Sequence, residues 1–176
     1  MRKELNRMSE EDEILSTISN PVDLIIVEKI LSAFIINGYT YKARKEYAPK
    51  DWNGEKGYRI FCYIKKGKEG LIINTKGWHV ESVCLQVRIL NSDTFNKIGE
   101  YSENVRNCFL NARNCEMHSD ECGIRAYVFK YQGKEHRKCH MICENFGFRN
   151  LTEQDIPSIM DIVQGEFDLR KLSHIK

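Results

Sequence analysis

The stretch between Asn20-Pro21 and Asn37-Gly38 constrains this chain more than any other. Asn20 can cap a helix, and Pro21 is tolerated at its first position. Gly38 can take the left-handed conformation that closes one. Between them Val22, Ile26, Ile30 and Phe34 recur at four-residue spacing, and Leu24, Val27, Leu31 and Ile35 fill the neighbouring stripe. So broad an apolar face predicts a largely buried helix. Asp23, Glu28, Lys29 and Ser32 interrupt the run, which is too short and too charged to span a bilayer.

The segments that follow read as strands. Residues 39–47 form one, and 51–57, with Asn53-Gly54, form a turn or loop. In 58–65, Ile60, Cys62 and Ile64 share one face, with Phe61 and Tyr63 on the other. Residues 66–70 are a hairpin turn and 71–75 its return strand. Val83, Leu85, Val87 and Ile89 alternate cleanly with outward-pointing Gln86 and Arg88. A second helix is expected from Ser92 or Asp93 to about Asn114, with Phe95, Ile98, Ser102, Val105, Phe109 and Ala112 on one face. Residues 124–131 and 134–148 read as a second hairpin turning at Gln132-Gly133. Thr152 and Asp155 resemble a capping box opening a final helix through Phe167, with Pro157 early enough to be tolerated.

The fold class is therefore α+β. We expect a single domain with a mostly antiparallel sheet of about six strands, in two hairpin-containing segments, with three helices packed on it. Residues 1–19 read as a charged tail or frayed helix, 20–170 as the domain and 171–176 as a second tail. At 176 residues the chain is long enough to bury a core, and its net charge of +2 gives no global pull toward nucleic acid. The polar N-terminus has no signal-like apolar run, so a cytoplasmic protein with no membrane association is expected. An odd count of seven cysteines argues against a full disulfide framework.

Chemistry concentrates where cysteines and histidines cluster. Cys115, Cys122, Cys139 and Cys143 lie close in sequence, with His118, His136 and His140 among them. Tetrahedral zinc needs four ligands at ~2.0–2.3 Å. A two-residue turn at Gln132-Gly133 sets Cys122 opposite Cys143 and Ala126 opposite Cys139. Residues four apart on a strand are roughly 13 Å apart, so Cys139 and Cys143 cannot share an ion on a regular strand. Cys139 then reads as a small core residue on a mostly apolar face with Ile124, Ala126 and Val128. Cys115, His118, Cys122 and Cys143 remain as a possible structural Cys3His zinc site, with a Cys122–Cys143 disulfide as an alternative.

The same register puts Arg125, Tyr127, Phe129 and Tyr131 opposite His140, Lys138, His136 and Lys134. That basic and aromatic face is a candidate binding surface, with loop residue Trp78 as a further candidate; the plainer reading is an ordinary solvated sheet face. Balanced charge disfavours nucleic acid. Glu100 and Glu103 could be an acidic pair, though helix carboxylates are usually solvated. Cys139 and His140 are adjacent but point to opposite strand faces, so they form no nucleophile–base pair, and no phosphate-binding glycine loop is present.

From Asn107 onward, the Asn-Cys-x6-Cys loop, the hairpin YVFKYQGKEHRKCHMICENF and the ending FRNLTEQDIPSIMDIV resemble small bacterial α+β domains without an assigned activity. The resemblance implies a soluble bacterial fold with a cysteine-bearing loop that keeps metal in play. The leading expectation is a non-catalytic domain that binds a small molecule or a protein, with no cofactor. The second is a domain stabilised by one structural zinc ion, with nucleic-acid contact through the hairpin. The third is a thiol-dependent redox protein or enzyme. The zinc reading predicts about one zinc per chain after purification without chelator, and a stability loss in Cys115→Ala. A metal-free, fully folded protein would sink it.

Overall fold

The computed structural model describes residues 9–47, 56–65, 68–76, 82–115, 126–138 and 146–173. It is α+β, as expected. Helices α1 (Glu10–Leu15) and α2 (Pro21–Ile36) lead into strands β1 (Thr40–Tyr47), β2 (Lys56–Lys65), β3 (Lys68–Lys76) and β4 (Cys84–Val87). Helices α3 (Asp93–Asn96) and α4 (Glu103–Asn111) follow, then β5 (Tyr127–Tyr131), β6 (Lys134–Lys138) and β7 (Phe146–Phe148). A 3-10 turn at Glu153–Asp155 opens α5 (Ile156–Ser173).

Five strands form one antiparallel sheet in the order β1-β2-β3-β4-β7, and β5-β6 form a separate hairpin. Register aligns apolar residues across the large sheet. Ile60 faces Ile73, Ile73 faces Leu85 and Leu85 faces Phe148, and all four are fully buried. Two residues along, Cys62, Leu71, Val87 and Phe146 make a parallel buried row. Helices α2 and α5 lie over these rows, joined by an edge-to-face contact of Phe34 on Phe167 at 4.9 Å. Phe109 of α4 reaches Phe146 and Phe148 at 4.7 and 5.4 Å.

Several sequence expectations change. First, residues 93–111 are two helices with a break between Asn96 and Glu103. Side chains of the final helical segment bind the chain in that break: Ser102 N–H donates to Ser158 Oγ at 2.9 Å, and Ser102 Oγ donates to Asp155 Oδ1 at 2.6 Å. The apolar face was still read correctly, since Phe95, Ile98, Val105 and Phe109 are all buried.

Second, the two ends of 134–148 pair in different sheets. Lys138 ends β6, and Phe146–Phe148 joins the large sheet beside β4. Third, within the segment expected to be a charged tail or frayed helix, helix α1 forms and is anchored. Ser9 and Asp12 make a reciprocal capping box, and Ile14 and Ile18 enter the core.

The hairpin turn has the expected register, with Tyr131 facing Lys134 and Tyr127 facing Lys138. Gln132 and Gly133 both take positive φ, 49° and 78°, as a type I′-like turn demands. Its facing is the reverse of the expectation. Tyr127 and Phe129 are buried, whereas Val128 is 50 % exposed. Two aromatic rings bury far more area than Val128 and Ala126. Phe95 stacks on Phe129 at 5.3 Å and meets Tyr127 at 5.4 Å.

Among the described residues, no helix is long and apolar enough to cross a membrane. The two apolar rows make a direct prediction. Leu85→Ala should lower unfolding free energy by about 2–5 kcal/mol. Ile36→Ala, at an 82 % exposed position, should stay within about 0.5 kcal/mol. Urea denaturation of both variants checks the contrast.

Candidate functional site

The sequence-predicted site residues divide sharply. His118, Cys122 and Cys143 of the zinc set lie outside the described residues, as do Cys139, Arg125, His140, Trp52, Trp78 and His79. Cys115 is described: it is half-buried, and its N–H donates to the Arg137 carbonyl at 2.9 Å. No group of three or more metal-binding side chains occurs among the described residues. Glu100 and Glu103 are exposed.

Of the described members of the hairpin surface, Tyr127, Phe129 and Lys138 are buried. Tyr127 and Phe129 are in the core. His136 is half-buried with its ring stacked on Phe129 at 5.2 Å, and burial, then Lys138 and Lys134, hold its pKa below the usual histidine value. Lys138 is 3 % exposed. Its Nζ donates to the Leu110 and Ala112 carbonyls at 2.6 and 2.8 Å and to Asn114 Oδ1 at 2.9 Å. The ammonium thus closes the C-terminus of α4, where helix carbonyls lack partners and positive charge is favoured. Burial, then Lys134, pushes its pKa down.

Other buried charges are held in the same way. Glu166 Oε1 accepts from the Leu90 and Asn91 N–H groups, both at 2.9 Å, while Oε2 accepts from Arg170 Nη2 at 3.2 Å. Burial pushes its carboxyl up, and the two N–H groups and Arg170 pull it back. The crevice beside it, between Phe34, Leu71, Val87, Val163 and Phe167, leaves about 10 Å³, room for one water. Asp155 accepts from Ser102, Thr152 and Asn104; burial opposes its charge, but these bonds hold the carboxyl below its usual value. Among the thiols, burial pushes Cys62 and Cys108 up. Arg149 Nε donates to buried Cys84 Sγ at 3.3 Å.

The larger space is an open groove of about 560 Å³ between α1, α2 and β1. That volume lies in the range of ordinary binding sites. Leu15, Leu31, Ile35 and Ile36 supply its apolar surface. Ser32 is a low point between α2 side chains, and Tyr41 stands on the strand side. Among the described residues its charged lining is acidic, from Glu11 and Glu28. Tyr41 OH donates to Glu11 Oε1 at 2.8 Å, and burial together with Glu11 pushes the phenol up to about 12. Glu28 is exposed and has no ion-pair partner among the described residues.

The groove arises because α2 is apolar over more of its circumference than the core covers. Ile26, Val27, Ile30, Leu31 and Phe34 are buried, but Ile35 is 58 % and Ile36 82 % exposed. The expectation of a largely buried helix therefore fails on one side. The signal was present in the breadth of the apolar stripe. The groove has no sequence signature because its other wall, α1, reads only as a charged tail or frayed helix.

Compared with known protein families, with curated proteins and with solved structures, the chain matches none. The Lys138 geometry predicts that Lys138→Met, which keeps length and removes the ammonium, leaves α4 carbonyls unpaired. It should cost about 1–3 kcal/mol. Thermal unfolding beside wild type measures this; an unchanged midpoint would refute the cap.

Proposed function

We propose that this is a non-catalytic binding domain, and that the groove between α1, α2 and β1 is where it engages its partner. The observation that carries the reading is Ile35 and Ile36 side by side in solvent, continuous with Leu15 and Leu31 in a groove of about 560 Å³. Contiguous exposed apolar surface rimmed by polar groups marks interaction sites more often than scattered exposed residues do. The buried charged groups support the same reading. Glu166, Asp155 and Lys138 each spend hydrogen bonds on backbone groups and on side chains of the fold itself, which is the work of a scaffold.

The test is a screen of fluorinated apolar fragments, mapped by methyl NMR of the full chain. Perturbations should concentrate on Leu15, Leu31, Ile35 and Ile36. They should vanish in Ile36→Asp, whose exposed position allows folding. Hits that cluster elsewhere, or survive Ile36→Asp, would remove the groove from consideration.

A further inference from the structure

We infer that the occupant of the groove is a basic amphipathic helix of another protein. This rests on the groove being the binding surface and adds the chemistry of what binds it. Three observations select the occupant.

The first is charge. Glu11 and Glu28 flank the apolar surface, and among the described residues no cationic side chain lines it. A partner carrying Lys or Arg gains attraction there, and one carrying Asp or Glu is repelled. The same argument disfavours a second copy, because a two-fold contact would set acidic groove against acidic groove.

The second is shape. Glu28, Leu31, Ser32 and Ile35 follow the three- and four-residue spacing of a helix ridge, with Ser32 its low point. A side chain of a partner helix can settle over Ser32 as ridges settle into grooves. Ile35 and Ile36 then meet partner residues at i, i+3, i+4 or i+7, the usual anchors of a helix in a groove.

The third is what the strand side refuses. Strand β1 is the end strand of the sheet. Its Lys45 N–H already donates to Glu10 Oε1 at 3.0 Å, and Glu13 pairs with the Lys45 ammonium. Helix α1 thus occupies the edge that an added strand would need, leaving the helix-lined side open.

The experiment is selection from a random helical peptide library displayed on phage, against the full chain, followed by binding titrations of the winners. Enriched peptides should carry Leu, Ile, Met or Phe at helical spacing, with Lys or Arg beside them. Affinity should fall at least about tenfold in Ile36→Asp and several-fold in Glu28→Lys, and weaken several-fold from 50 to 500 mM salt. Peptides that depend on Ile36 but show no basic enrichment, or ignore Glu28→Lys, overturn the basic helix and leave the groove standing. Peptides indifferent to Ile36→Asp overturn both. A dimer in light scattering that Ile36→Asp abolishes makes the occupant a second copy and overturns the inference.

Discussion

Everything in this molecule leans on the apolar rows that cross the large sheet. Ile60, Ile73, Leu85 and Phe148 come from four strands, and the last is more than sixty residues from the third. Each side chain is buried only if its neighbours are in register. A one-residue slip of any strand would turn its apolar set to the opposite face. The rows therefore fix the register of the sheet, and the sheet fixes where α2 and α5 can lie. Once Phe34 and Phe167 are seated together over the sheet, the exposed side of α2 looks across to α1 and β1. The groove is what that arrangement leaves over.

Much of this was legible, for reasons that differ by element. The strand at Val83–Ile89 was plain because alternation leaves one solution: all four apolar residues are buried. The hairpin register was plain because a two-residue turn fixes pairing on both sides. Its facing was not, because both faces held apolar residues, and only the tertiary position of Phe95 decided between them. The break after α3 was also hidden, since Ser102 and Asp155 are fifty-three residues apart in sequence and their bond has no local sign. For the site, the breadth of α2 was visible, but its meaning depended on α1. A charged segment gives little hint that Ile14 and Ile18 will anchor it.

Polar groups in this core act as fasteners between segments that apolar packing alone would leave loosely related. Glu166 holds the chain after β4 by two backbone N–H groups. Asp155 ties the break before α4 to the start of the last helix. A satisfied buried charge of this kind adds little net stability, yet losing one partner is expensive. Such groups oppose alternative arrangements more than they strengthen the native one.

The buried ammonium of Lys138 has a consequence for how the protein opens. Its stem belongs to the hairpin and its hydrogens belong to the end of α4. Neither segment can separate without stranding a charge or bare carbonyls in a poorly solvated place. Fraying of the helix and departure of the hairpin are thereby fused into one cooperative event. Small openings that would expose the aromatic cluster around Phe95 are suppressed, because the first step already carries the penalty of the whole.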